Sequence, residues 1–278
     1  FAKYILIQKN YDSFRKVILE AQGGDEISAG YRHVFPYFVS DLLKNYKIID
    51  LLSEIKSFMK IEGINVYDFI KFYKNAKKYF YGKISSDGTK QTKLNLLIEQ
   101  KNFNFENKFN SDMENLSNLD KILLSDLLST KLQRILKSCD KSSMSLSKEL
   151  RVPMLNHELV EFCFNIPSKY KITNGNLRNF YRETINEKFL LNEKFGINYS
   201  NKKKNYVSDP QTIWLKKDLY DWAYSILSNK NSFISNFYDQ HKVINQFEKF
   251  REDKSLNNSF FFWQLINIEL WYKNFFKN

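Results

Sequence analysis

Cysteine is scarce, with only Cys139 and Cys163 in 278 residues. Neither stands at a redox or metal-ligand spacing, which excludes a disulfide scaffold and a zinc ribbon and points to a reducing, cytoplasmic compartment. The three histidines, His33, His157 and His241, lie far apart and form no zinc motif. Eight glycines and four prolines are too few breaks for a sandwich or barrel. Long helices joined by polar loops follow instead. No apolar run approaches the ~18 residues of a membrane span. The opening FAKYILIQKN lacks the layout of a signal peptide. It also lacks a starting Met, so the chain is expected to be an internal fragment.

Apolar material is plentiful. Hydrophobic residues make up 43%, including 25 Phe and 17 Tyr, enough for a core in one large domain or two small ones. The formal net charge of +12 invites a nucleic-acid reading. Only seven of the 43 basic residues are Arg, however, and the lysines are scattered, with Lys202-Lys203-Lys204 the longest basic run. That is a compositional bias that solvates exposed faces, and no nucleic-acid partner is expected.

Along the chain, residues 1–15 space their apolar positions like a helix. A β-type run, Val17-Ile18-Leu19, then meets a small-residue turn, Ala21-Gln22-Gly23-Gly24, and a new helix starts near Asp25. Strand, glycine loop, helix is the order used by α/β nucleotide folds at the carboxyl end of a strand. It is the one strand the pattern predicts. Residues 34–81 read as aromatic-rich helix and 82–118 as a polar insertion, with a short helix near Leu94–Gln100. A helix over Leu119–Lys137 is predicted from a stripe of Leu124, Leu128, Leu132, Ile135 and Leu136. Asp140–Pro153 reads as loop or broken helix ended by Pro153. Helices follow at His157–Asn165 and about Asn176–Phe189, then a basic loop over 190–213 and a helical tail over 214–278.

Two blocks carry a resemblance. Residues 17–31, V-I-L-E-A-Q-G-G-D-E-I-S-A-G-Y, resemble the strand and loop of the glutamine-dependent asparagine synthetases, roughly L-S/D-G-E/Q-G-G/S-D-E-x-x-x-G-Y. Residues 140–156, D-K-S-S-M-S-L-S-K-E-L-R-V-P-M-L-N, are similar to that family's D-R-x-S-M-x-x-S-x-E-x-R-x-P-F-L-D. The match continues through H-E-L-V-E-F-C-F-N-I-P into Arg178-N-F-Y-Arg182, where the family usually has Lys followed four residues later by Arg. A weaker stretch, residues 203–214, resembles the loop bearing the family's catalytic lysine.

The resemblance implies a predominantly α fold with a remnant of the α/β adenine-nucleotide (PP-loop ATP pyrophosphatase) fold at its N-terminal end. It implies a partial synthetase domain over 1–278, with the N-terminal glutaminase domain absent. The implied reaction uses ATP and Mg²⁺ to activate the side-chain carboxylate of aspartate as an adenylate; glutamine-derived ammonia then displaces AMP. Two anions must meet, so Mg²⁺ and Lys are needed to offset charge. On that scheme Gly23 and Gly24 bring the backbone close to nucleotide or substrate, with Gln22 beside them. Asp25 faces the Mg²⁺–pyrophosphate region as a metal ligand, and Glu26 either joins the cofactor-binding set or caps the following helix. Lys203 stabilises charge on the reacting groups, with Lys202 and Lys204 as alternatives for the role. Glu149 and Arg151 order the loop beside the site through a two-pronged guanidinium fork, with direct substrate contact as the alternative. Arg182 supports the site from behind. Met144 is read as core and Ser143 holds the family spacing. The partners expected are aspartate or another carboxylate substrate, such as a sugar acid or peptide. A homodimer is the assembly considered.

The chain also departs from the family. The pyrophosphate loop, S-G-G-x-D-S, occurs nowhere in it and is expected to precede Phe1. Ala21 replaces a usual Gly and Glu20 a usual Ser or Asp. Gln22 stands where many members have Glu, and an amide is no general base. Lys141 replaces Arg and Asn156 replaces Asp. A non-catalytic remnant acting as a binding module is therefore a competing expectation.

Overall fold

The structure, a computed structural model, describes residues 2–9, 16–80, 96, 98, 115–189, 193, 210–253 and 259–276. The chain divides into two compact units, residues 1–86 with 107–204 and residues 87–106 with 205–278. The fold is mostly helical, with four short strands among the described residues.

The first unit opens with α1 (Ala2–Lys9), β1 (Val17–Leu19), α2 (Gly24–Ile27), α3 (Phe35–Lys44), α4 (Ile48–Glu62) and α5 (Val66–Phe80). It continues with α6 (Asn118–Ser125), a π-helical turn (Asp126–Thr130), α7 (Leu132–Met144), β2 (Glu149–Arg151) and α8 (His157–Asn165). A short helix α9 (Ser168–Lys171), the strands β3 (Ile172–Thr173) and β4 (Asn176–Leu177), and α10 (Asn179–Phe189) complete its described part.

Its core is an aromatic stack. Phe35 of α3 lies face to face with Phe58 of α4, ring centroids 3.8 Å apart, and Phe69 of α5 meets both edge-on. Val39, Leu42, Leu119 and Leu123 close the same cluster. Asp41 ties α3 to α6: its two carboxylate oxygens accept from the backbone N–H groups of Asn118 and Leu119, each at 2.8 Å. Those are donors that a helix start leaves without intrahelical partners.

Several expectations change here. The segment read as loop or broken helix holds the end of α7 and a strand, β2, which pairs in parallel with β1. Three-residue strands offer too little alternation for periodicity to detect. The helix over 119–137 is interrupted by the π turn, whose i→i+5 bonding adds a residue to the turn and rotates the buried face. Asp126 is thereby fully buried while Leu128 is exposed, so the predicted leucine stripe is broken at that point. Residues 172–177, partly assigned to a helix, form a hairpin instead. The helix predicted from 1 is described over Ala2–Lys9, and residues 10–15 lie outside the described residues.

The second unit comprises α11 (Gln211–Lys216), α12 (Tyr220–Leu227), a 3₁₀ turn (Phe233–Asn236), α13 (Gln240–Glu252) and α14 (Ser259–Phe275). Tyr220 stacks on Phe247 at 5.1 Å, and Phe250, Phe261 and Phe262 fill the centre. The polar insertion contributes to this core. Leu96 is buried in it, its carbonyl accepts from Asp239 N–H, and Ile98 N–H donates to Phe237 O, both at 2.9 Å. The rest of the helix expected near 94–100 lies outside the described residues. Among those described, no helix is long and apolar enough to cross a membrane.

Candidate active site

The two sequence blocks are neighbours in space. Val17, Ile18 and Leu19 pair in register with Glu149, Leu150 and Arg151, and Glu20 N–H extends the ladder to Arg151 O at 2.9 Å. At the carboxyl end of β1 the chain turns through Ala21–Gly24, closed by Gly24 N–H donating to Ala21 O at 3.3 Å. Gly23 holds φ +92°, and a Cβ there would overlap the Leu155 side chain of the second block. Gly24 is different: a Cβ would meet Met154 at an ordinary 3.5 Å. Gly23 therefore serves the turn and its packing, while Gly24 would accept a Cβ in ordinary contact with Met154.

Helix α2 ends with Ala29 at φ +57° and Gly30 N–H donating to Asp25 O at 2.8 Å, the six-residue closure of a Schellman motif. A Cβ on Gly30 would overlap the Asp25 carboxylate. The D-E-x-x-x-G spacing thus makes room for the acid rather than for a ligand.

Arg178 reaches the same place from the other side. The Asn174-Gly175 turn between β3 and β4 has both residues at positive φ, 51° and 71°, as a two-residue type I′ hairpin requires. Its N–H groups donate to the Glu54 carboxylate of α4 at 2.9 and 2.7 Å, and Gly175 lies so close to Phe58 that a Cβ would strike its backbone. The hairpin delivers Arg178, itself at φ +59°, with Nη1 3.1 Å from Asp25 Oδ1. Tyr181 donates its hydroxyl to Met154 Sδ at 3.4 Å.

Together these elements line an open cleft of about 390 Å³, bordered by Glu20, Ala21, Gln22, Gly24, Asp25, Ser28, Met154, Arg178 and Tyr181. Its size is that of a small-molecule site. It lies just outside the carboxyl ends of two parallel strands, where open α/β sheets take their ligands.

The candidates named from sequence fall in different places. Asp25, Gln22 and Gly24 line the cleft. Glu26 does not: it is 1% exposed, and accepts from the Tyr31 hydroxyl at 2.8 Å. Glu149 and Arg151 are exposed on β2 and joined by one Nε–H···Oε1 bond of 2.8 Å, not a two-pronged fork. That hydrogen bond, and then the opposite charge, holds the Glu149 carboxyl below its ordinary range and the Arg151 guanidinium above. Arg182 is half-buried on α10, its N–H donating to Arg178 O at 3.0 Å, and it is absent from the cleft lining. Ser143 is buried, whereas Met144, expected in the core, is 55% exposed because α7 ends there and turns it outward. Lys203, with Lys202 and Lys204, lies outside the described residues. Sequence reasoning missed Arg178, Met154 and Tyr181 as lining groups. Arg178 had a signal, since it occupies the first position of the family's Lys-x-x-x-Arg pair.

Behind α2 runs a polar chain of half-buried groups between two buried carboxylates, Glu26 and Asp126. Tyr31 stacks on His33 with centroids 5.5 Å apart, and Lys131 Nζ lies 3.2 Å from the Tyr31 ring centroid. His33 Nε2 is 2.6 Å from Asp126 Oδ2, while Thr130 Oγ1 donates to Asp126 Oδ1 at 2.8 Å. Burial pushes the Glu26 carboxyl up, against the pull of Tyr31, its own backbone N–H and Lys131. Burial, then Glu26, drives the Tyr31 hydroxyl up as well. Asp126 goes the other way: burial raises it, but the hydrogen bond and charge of His33, the Thr130 hydroxyl and Lys131 outweigh that and hold it low.

A cleft at the ends of parallel strands, where a glycine turn sets an acid against a guanidinium, is the candidate ligand site of this chain. The chain belongs to the asparagine synthase family, whose profile matches residues 1–273. It is also similar to asparagine synthetase [glutamine-hydrolyzing] 1 of Bacillus subtilis (strain 168), 28% identical over 148 residues. That match covers 49% of this chain and 21% of the relative, so the chain spans well under two thirds of the relative's length. No solved structure matches the chain.

Proposed function

We propose that this cleft is part of the carboxylate-activating centre of an ATP-dependent amidotransferase, converting aspartate, ATP and glutamine-derived ammonia to asparagine, AMP and pyrophosphate. The observation that carries the reading is the Asp25–Arg178 pair at 3.1 Å, standing in the cleft at the strand ends. An acid and a base side by side suit a ligand that carries both charges itself, such as an amino acid or a metal-bound phosphate. An incoming anion takes the guanidinium, for which Arg offers a planar set of donors. The freed carboxylate then faces the ligand's positive group.

Among the described residues no three His, Cys, Asp or Glu side chains are grouped as a metal cage. Mg²⁺ needs none, because it binds through one or two carboxylates together with substrate phosphates and water. Asp25, with Glu20 in the same lining, fits that donor set. These two residues would hold Mg²⁺, which when bound supplies positive charge at the reacting phosphate. Lys203 is proposed to add charge on the transferring group. The strand–turn–helix segment over 17–27 is read as a remnant of an α/β nucleotide fold, and its Gly24 edge leaves room for a ligand.

The test is an assay of the full-length gene product with ATP, Mg²⁺, aspartate and either ammonia or glutamine. Aspartate-dependent AMP release is expected. No AMP above blank, with aspartate or with a panel of sugar acids and peptides, sinks the reading. AMP with another carboxylate alone would reassign the acceptor, a second reading favoured by Glu20 and Gln22 in the lining.

A further inference from the structure

We propose that Tyr31 is a positioning residue for the cleft, held by a clamp of His33, Lys131 and Asp126 that lies outside the cleft lining. The inference rests on the ligase reading for its kinetics, but not for its structural readout.

The argument begins at Asp126. A carboxylate with no exposure is costly unless both oxygens are satisfied. Here they are, by His33 at 2.6 Å and Thr130 at 2.8 Å. Asp126 is buried at the start of the π turn, and such turns are frequent at functional sites. The clamp passes from His33 to the stacked Tyr31 ring, on which Lys131 also lies. Tyr31 then donates to Glu26, which is buried and adjacent in α2 to Asp25 of the cleft. The clamp thus fixes the backbone that carries Asp25 while its own members stay out of the lining. A misplacement of about 1 Å at a reacting centre can cost on the order of 100-fold in rate.

The experiment uses the full-length protein. Tyr31→Phe deletes the hydroxyl and keeps the ring; His33→Gln keeps a donor for Asp126; His33→Ala does not. Tyr31→Phe and His33→Ala should each lower kcat for AMP release about tenfold, less than a full 1 Å misplacement costs. KM for ATP and for the carboxylate should not move, and His33→Gln should restore kcat. A folded Tyr31→Phe protein with wild-type kcat overturns the proposal, as does a rise in KM without a fall in kcat.

If the wild type releases no AMP, the ligase reading has failed and a second readout decides the clamp. With three histidines in the chain, the His33 imidazole signal of ¹⁵N-histidine-labelled protein is assigned by its loss in His33→Gln. The short bond to Asp126 predicts a downfield, slowly exchanging N–H proton that broadens or shifts in Tyr31→Phe. Its absence from the wild type, or its indifference to Tyr31→Phe, overturns the clamp.

Discussion

Arg178 occupies the left-handed region at φ +59°, a conformation that costs a non-glycine residue about 1 kcal/mol or more. The site keeps it there because that backbone angle aims the guanidinium at Asp25. Both side chains retain some exposure, 29% for Arg178 and 21% for Asp25, so their pairing adds about 1 kcal/mol at most to stability. Its worth lies in ligand handling. Arg178→Met should lower kcat/KM for AMP release by roughly 100- to 1000-fold, the range seen when one charge-stabilising donor is lost. Arg178→Lys should lose less, because charge remains while the planar fork is gone. Unchanged kinetics in Arg178→Met, with a melting temperature near wild type, would remove Arg178 from the site. The glycines of the turn give a second contrast at this scale. Gly23→Ala meets both a positive φ and Leu155, so it should destabilise by about 1–3 kcal/mol, the usual cost of overpacking, or more. Gly24→Ala should leave stability nearly unchanged and instead weaken ligand binding, since its side chain would project beside the cleft. Urea unfolding of the two variants checks both expectations.

Between elements, the hairpin of β3 and β4 decides where Arg178 stands, and Glu54 decides where the hairpin stands. The Glu54 carboxyl is pushed up by burial, although the N–H groups of Gly175 and Asn174 pull it down. The folded state therefore keeps this proton to a higher pH than the unfolded chain, and stability falls as pH rises through that window above the ordinary glutamate value. Glu54→Gln removes the titration, so its melting temperature should decline less than wild type from about pH 4.5 upward. Asp126 has the opposite sign: its share of stability is present above the ordinary aspartate range and is lost as pH falls through its lowered value. Equal pH slopes in wild type and Glu54→Gln would exclude the first effect. This hairpin also shows what could be read beforehand. Asn174-Gly175 is the strongest short-range hairpin signal, yet its flanking strands are two residues each, too short to register against a helical pattern on either side. Helix α8 was legible from His157 to Asn165 because nine periodic residues begin at an Asn whose Oδ1 accepts from Glu158 N–H. The strand β1 was legible because its glycine turn announces it. Its partner β2 was not, since a parallel neighbour lies more than a hundred residues away and leaves no local trace. Likewise Glu26 reads as a cap from its place after Asp25; only the fold shows Tyr31 reaching back to bury it.

At the scale of the whole molecule, the abundance of Phe and Tyr resolves into two separate aromatic cores. One centres on Phe35, Phe58 and Phe69, the other on Tyr220, Phe247, Phe250, Phe261 and Phe262. Each closes with residues of its own unit. Truncating a buried Phe costs about 3–5 kcal/mol, so one substitution is enough to lower a unit's stability measurably. The tryptophans make the two units separable by spectroscopy. All four, Trp214, Trp222, Trp263 and Trp271, lie in the second unit, whereas tyrosines and helices occur in both. Intrinsic tryptophan fluorescence should therefore follow the second unit alone, while far-UV circular dichroism follows the sum. Phe247→Ala should lower the midpoint of the tryptophan transition. Phe58→Ala should lower a circular-dichroism transition and leave the tryptophan midpoint where it was. If Phe58→Ala instead moves both midpoints together, the units unfold as one cooperative body, and damage near the cleft would spread through the entire chain. If they move separately, variants of Asp25, Arg178 and Tyr31 can be compared at constant second-unit stability, with the tryptophan signal as an internal standard.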